Sequence, residues 1–457
     1  MKNIYYIKFS FVMVLLLAFT SCENELDLTP RQSISEEDAL GTENGLLGIL
    51  IGTYGEAGDN TTFGGESQIT SDLLGNTNQV SWNGTFVSPR EFFTKSILIE
   101  NAFVSGTWTN HYQTINQANL VIDNVDVIVS SEDLRNRSEG EAKFLRALCY
   151  FDLVRLFAQQ YEPGADNTQL GVPLRLVGKA QFTIADSQIE RSTVEQIYDV
   201  IIEDLLSAFS LLPETNGIFA DRFSAQALLA RVYLQQGDYE AARDAAHNVL
   251  VNSGHSLAPN FAAAFNNDSD SVEDLFAIQV TTQDGENSLI TFYASQANGG
   301  RGQDISIEPS YFDLFDDPDN DQRASFFYAN DPAFPLTSKY INQFANIPIL
   351  RIAEMHLIRA ESNFRLSTNV GLDPLNEINA LRARSMASPL SGPLTLDLIL
   401  NERQLELGFE GHLLHDFQRT DRAIGEFPAD ANNLILPIPQ TELNTNDIIT
   451  QNPGYGG

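Results

Sequence analysis

The chain has 457 residues, with 61 Asp and Glu against 27 Lys and Arg and a formal net charge of −34. That balance excludes a nucleic-acid ligand, which needs a basic footprint, and disfavours polyanionic cargo. Two cysteines in the whole sequence exclude a disulfide-stapled scaffold, and a chain this long buries an ample core without one.

Lys2 and Lys8 flank the start of an apolar run, Phe9 to Phe19, too short for a bilayer span of about 20 residues. Thr20 and Ser21 then lead to Cys22, the arrangement of a lipoprotein signal peptide cut before an acylated cysteine. Phe19 departs from the aliphatic residue usual at its position. Residues 1–21 are therefore expected to be removed, Cys22 to carry lipid, and residues 22–34, with Glu23, Glu25 and Asp27, to form an acidic flexible tether. The expected product is anchored to a membrane without spanning it. Cys149, left alone in an apolar helical pattern, reads as a small core residue.

Residues 35–457 read as one domain dominated by helical periodicity. Ser35 with Asp38 predicts a helix start, followed by Leu40, Leu47, Leu50 and Tyr54 on one face. Further helices are predicted over 108–124, with Trp108 inward, over 138–160, and from a capping box at Ser192 and Glu195. Residues 225–234 and 239–250, joined by a turn through Gly237, have the pattern of a tetratricopeptide (TPR) pair, with Ala227, Ala230, Ala242 and Ala245 permitting close approach. A looser pair spans 351–366 and 374–385, and 138–160 with 192–211 suggests another. Loop-rich insertions interrupt the helices at about 57–105, 161–190 and 253–347. Phe276–Val280 and Leu289–Tyr293 within the last alternate as short strands do. The predicted fold is mainly α, a TPR-like helical-pair scaffold with insertions carrying short β-strands.

No nucleophile elbow, phosphate loop, dinucleotide fingerprint or CxxC pattern occurs. His412 and His415 lack a patterned third metal ligand. Asp316–Asp321 is acid-dense, but without the glycine and glutamate of a calcium loop. No cofactor and no catalysis are expected; a structural calcium ion at 316–321 is the one metal suggested. Glu402, Glu406 and Glu410 share a helical spacing and read as a solvated or arginine-paired stripe. Trp82 and Asn83, in the polar loop 76–84, offer an aromatic platform beside amides, the chemistry that grips a sugar's C–H face and hydroxyl rim.

Several motifs then follow one order. Trp108, Tyr112, Ile115, Ala118 and Asn119 come first; Glu139 to Arg155 reads EGEAKFLRALCYFDLVR; Arg351 to Glu361 reads RIAEMHLIRAE; Asn379 to Arg384 reads NALRAR. Asn401 to His412, Asp416 to Arg419, Leu436 to Gln440 and Gln451 to Tyr455 close the chain. In this order the set resembles the SusD/RagB family of cell-surface nutrient-binding lipoproteins. The resemblance implies about four TPR-like pairs, an outer-membrane lipoprotein facing the cell exterior, glycan binding, and delivery to a SusC-like TonB-dependent transporter. It adds Asp72, Tyr293, Arg301, Gln303 and Tyr311 to Trp82 and Asn83 as candidate ligand contacts. It leaves open a peptide or other nutrient as cargo, or a TPR scaffold whose ligand is another protein. Convergence of loops 57–105 and 253–347 on one aromatic cleft discriminates the first reading from the last.

Overall fold

The structure is a computed structural model that describes residues 36–283, 285, 287–329 and 334–456. The signal peptide, Cys22, the tether and Ser35 lie outside the described residues. The first predicted helix is two: α1 (Glu36–Gly41) and α2 (Glu43–Ala57). Thr42 breaks them, because its hydroxyl accepts the Gly45 backbone N–H and starts α2 afresh.

After α3 (Glu66–Leu74) and α4 (Val87–Thr94) come two long helices, α5 (Ala102–Asn124) and α6 (Glu132–Phe157). They are followed by α7 (Val194–Leu211), α8 (Arg222–Gln236) and α9 (Tyr239–Asn252). The capping box of α7 lies one residue beyond its predicted place, at Thr193 with Gln196. Gly237 takes the left-handed φ of +74° that ends α8, and Asp238 caps α9 immediately. Later come α10 (Ser288–Tyr293), α11 (Ile352–Leu366), α12 (Pro374–Arg384), α13 (Leu396–Glu406) and α14 (Leu413–Arg419). Leu289–Tyr293, predicted as a strand, is thus helical; Asn287 caps it by accepting the Ile290 N–H.

Helices α2, α5, α6, α7, α8, α9, α11 and α12 pack in file, each against the next. Taken two by two they are consistent with the expected number of about four pairs, α6 with α7 among them. Ala227, Ala230 and Ala242 are fully buried where α8 and α9 approach. The central α6 has no solvent face from Phe144 to Phe157, Cys149 included. Neighbours cover all its sides.

Buried ion pairs bind this file to the C-terminal quarter. Arg146 joins Asp204 at 2.7 Å across α6 and α7, and Arg231 joins Glu354 at 2.6 Å across α8 and α11. Arg403 reaches Glu354 at 3.2 Å and Asp416 at 2.8 Å, and Arg419 holds Glu361 at 2.8 Å. Glu402 meets Arg323 and Arg382, Glu406 meets Arg351 and Arg384, and Glu410 meets Arg351 and Lys339. Of the two expected readings the stripe takes the arginine-paired one, but α13 ends at Glu406. Phe409, at φ +67°, turns the chain so that Glu410 still meets Arg351. Each pairing offsets a desolvation cost that an isolated buried charge could not bear.

The sheets are small and antiparallel. β1 (Val80–Trp82) pairs with β3 (Ile305–Ile307), β2 (Asp274–Ile278) with β6 (Ile347–Arg351), and β4 (Phe327–Ala329) with β5 (Pro335–Thr337). The first pairing joins the two long insertions.

Candidate functional site

The chain is turned into β1 by Asn76. Its Oδ1 accepts the N–H groups of Gln79 and Val80, and its Nδ2 donates to the Val80 carbonyl. Val80 then faces Ile307 and Trp82 faces Ile305 across the ladder. Alternate strand residues share a face, so Trp82 lies on the side of the buried Val80. At the strand's end it is only half-buried, with its ring centroid 5.8 Å from that of Phe292 on α10. The indole N–H is buried and finds no acceptor among the described residues.

Asn83 is exposed and extends the ladder. Its backbone N–H donates to the Asp304 carbonyl at 2.7 Å, and its Nδ2 donates to the Ser306 hydroxyl at 2.8 Å. Gly84 has no space for a side chain; a Cβ there would lie 2.5 Å from the Trp82 ring and 2.8 Å from Cγ of Asp304. The chain then presents Phe86, 42% exposed, edge-on to Phe292 at 5.7 Å. Arg301 lies over the Phe86 ring, its guanidinium carbon 4.2 Å from the centroid. Asp304 orients it by accepting from Nε at 3.0 Å. Gln303, at φ +80°, turns its carbonyl toward the Asn83 amide at 3.4 Å.

Trp82, Asn83, Phe86, Arg301 and Gln303 thus gather on one loop-built surface. An indole edge, an exposed ring carrying a cation, and amides form an aromatic platform with a polar rim. Such a surface offers C–H/π contact and hydrogen bonds to a neutral, hydroxyl-rich molecule.

The other three predicted contacts lie below this surface. Tyr293 is fully buried, its ring 5.4 Å from Tyr340, and its hydroxyl donates to Asp72 Oδ2 at 3.0 Å. Asp72 is buried and accepts the Gly411 N–H at 3.2 Å. Burial pushes its carboxyl up to about 7, against the pull of Tyr293, Gly411 and Lys339. Tyr311 is buried against Phe409, with centroids 4.9 Å apart, beside a cavity of about 30 Å³ that suits a water molecule rather than a sugar. Corrected by their burial, these three support the loops from within. Sequence reasoning missed Phe86 and Phe292. The available signal was an aromatic residue just beyond Trp82, past an intervening glycine.

His415 is buried and His412 partly so, and desolvation drives both well below the ordinary imidazole value. No group of three or more metal-ligating side chains occurs among the described residues. The acidic stretch 316–321 is engaged internally: Asp316 pairs with Arg382, Asp317 accepts the Ser388 N–H, and Asp321 pairs with Arg323.

Two family models match the chain. One, described as starch-binding associating with outer membrane, covers residues 26–234; the other, the SusD family, covers 331–434. The SusD-like protein P2 of Formosa agariphila is 26% identical over 98% of this chain and 99% of its own. The starch-binding protein SusD of Bacteroides thetaiotaomicron is 30% identical over 24% of this chain and 22% of its own. A SusD superfamily crystal structure from Bacteroides thetaiotaomicron superposes with a TM-score of 0.80 at 26% identity, covering 90% of this chain and 100% of that one.

Proposed function

The chain belongs to the SusD/RagB family, and we propose that it binds a neutral glycan through Trp82, Asn83, Phe86, Arg301 and Gln303 and passes it to a SusC-like TonB-dependent transporter. The observation that carries this reading is the β1–β3 pairing. It draws both long insertions into one exposed aromatic surface, which Phe292 seats on Phe103 of α5. A TPR scaffold reading would place the apolar contact face along the repeats, and the platform lies on loops instead.

The description of the matched family model and the chemistry of the surface support this role. The matched description associates such proteins with the outer membrane, and the similar SusD protein is named for starch. We place the chain there through lipid on Cys22, with residues 22–34 as tether and 35–457 as one binding domain. The helical file is the surface we assign to the transporter. No catalytic step is assigned: Glu402, Glu406 and Glu410 all face cations at 2.5–3.3 Å or closer, leaving none of them poised as a free acid or base. Peptide cargo is the second reading, and the excess of acid over base makes an acidic peptide a poor fit.

Affinity electrophoresis of the soluble chain tests this, in native gels containing starch, laminarin, xylan or pectin. Retardation by a neutral polysaccharide, lost in Phe86→Ala, is the expected result. Retardation by none, with binding of peptides instead, overturns the carbohydrate reading.

A further inference from the structure

A second concavity lies at the other end of the helix beneath the platform. α10 is six residues long, about 9 Å along its axis. Phe292 near its C-terminus contacts Trp82 and Phe86, while Asn287 at its N-terminus lines a cavity of about 430 Å³. Sites for small molecules commonly span about 300–1,000 Å³.

Three observations give this cavity a chemistry. Tyr54 and Phe219 in its lining bring their rings to 5.1 Å, and Ile51 and Ile218 beside them are 62% and 50% exposed. Large apolar groups are thus left in water around a hollow. The described lining contains no Lys, Arg or His and a single acid, Asp59. The Asp59 Oδ1 accepts from the Thr61 N–H and hydroxyl, so Oδ2 remains for a further donor. This set repels anions and suits a neutral molecule with an apolar face and donating hydroxyls. Gly55 supplies the third observation. It sits within α2, where glycine weakens a helix relative to alanine. A Cβ there would meet nothing within 4 Å, so neither dihedral strain nor tight packing demands glycine. Gly55 lines the hollow, so a side chain placed there has room to enter it.

We propose that this cavity is a second saccharide subsite, holding another sugar unit of the glycan gripped at Trp82 and Phe86. The proposal rests on the carbohydrate reading above. A chain engaged at both ends of α10 gains affinity through effective concentration, without stronger contacts at either end.

The test titrates the full chain with a length series of starch- and laminarin-derived oligosaccharides and the parent polysaccharides. Wild type is compared with Gly55→Trp, which fills the cavity, and Ile218→Arg, which charges its lining from an exposed position. Both variants are expected to weaken polysaccharide binding five- to tenfold, to leave the shortest bound oligosaccharide unaffected, and to keep the wild-type Tm. If one variant fails to fold, the other decides. Affinities equal to wild type at every length overturn the subsite while leaving the Trp82 reading intact. Failure of the wild type to bind any glycan overturns both.

Discussion

Trp82 stands directly across the β1–β3 ladder from Ile305, two residues from opposite halves of the chain in one antiparallel register. This pairing makes the platform a tertiary object: neither insertion alone carries both the aromatic rings and Arg301. It also sets the exposure of Trp82, because the register turns the indole toward Phe292 and leaves only part of it in water.

Phe86→Ala is the clean probe of the platform. The ring is 42% exposed, so its loss should cost less than about 1 kcal/mol of stability while glycan affinity falls more than tenfold. Trp82→Ala should weaken binding as strongly but also lower Tm, since it removes a half-buried ring packed on Phe292. Calorimetric titration beside thermal melts checks both. Unchanged affinity in Phe86→Ala moves the site elsewhere.

Gly84→Ala should reduce glycan affinity without replacing any contacting residue. The new Cβ would clash with the Trp82 ring at 2.5 Å and with Asp304 at 2.8 Å, displacing the indole and the carboxylate that orients Arg301. A shift in tryptophan fluorescence together with weaker binding is expected. An unaltered spectrum contradicts the packing described.

Arg301→Ala should lower Tm by a few degrees at most: Arg301 is exposed, which limits the worth of its pair to about 1 kcal/mol, although the Asp304 it leaves behind is buried. Glycan affinity should fall about fivefold, with Arg301→Lys retaining part of it through the cation on Phe86. Equal affinities for Arg301→Ala and wild type would show that the guanidinium does not touch ligand.

Acid should unfold the chain through its buried carboxylates. Burial alone would raise Glu361 above its ordinary 4.5, but Arg419 and Arg365 outweigh it and hold the group at about 2. Its native value lies below its unfolded one, so its stabilisation is complete above about pH 4.5 and fades as pH falls toward 2. Asp72 has the opposite sign: raised from 3.8 to about 7, it stabilises fully below 3.8 and its contribution is lost as pH rises through 7. Denaturant midpoints should therefore drop steeply between pH 4.5 and 2. Glu361→Gln should cost about 3–5 kcal/mol at neutral pH and flatten that acid limb. An acid limb as steep as wild type's would remove Glu361 from the cause.

Calcium and chelator should leave Tm unchanged, since Asp316, Asp317 and Asp321 are satisfied by Arg382, Ser388 and Arg323. Melts in 5-fold steps of calcium against chelator check this; a rise in Tm with calcium would reveal a site.

Helices were legible wherever local rules act. The Ala-rich pair around Gly237 and the long α6 follow from periodicity and caps, which neighbours in sequence decide. Boundaries slipped where two capping candidates adjoin: Thr193 displaced Ser192, and Thr42 divided the first helix. Leu289–Tyr293 alternates like a strand but lies between Asn287, which nucleates a helix, and the glycines at 299 and 300. A six-residue apolar run is ambiguous between the two structures, and the cap decided it.

By itself, then, the sequence determined the helical file, its arginine-paired carboxylates and the order of family motifs, because periodicity and charge pattern are properties of neighbouring residues. Only the tertiary structure decided which aromatics meet water. Tyr293 and Phe86 are both rings within the long insertions, yet one is sealed against Asp72 and Tyr340 and the other stands under Arg301 in solvent. Exposure is fixed by contacts between segments far apart in the chain, and no local pattern encodes those contacts.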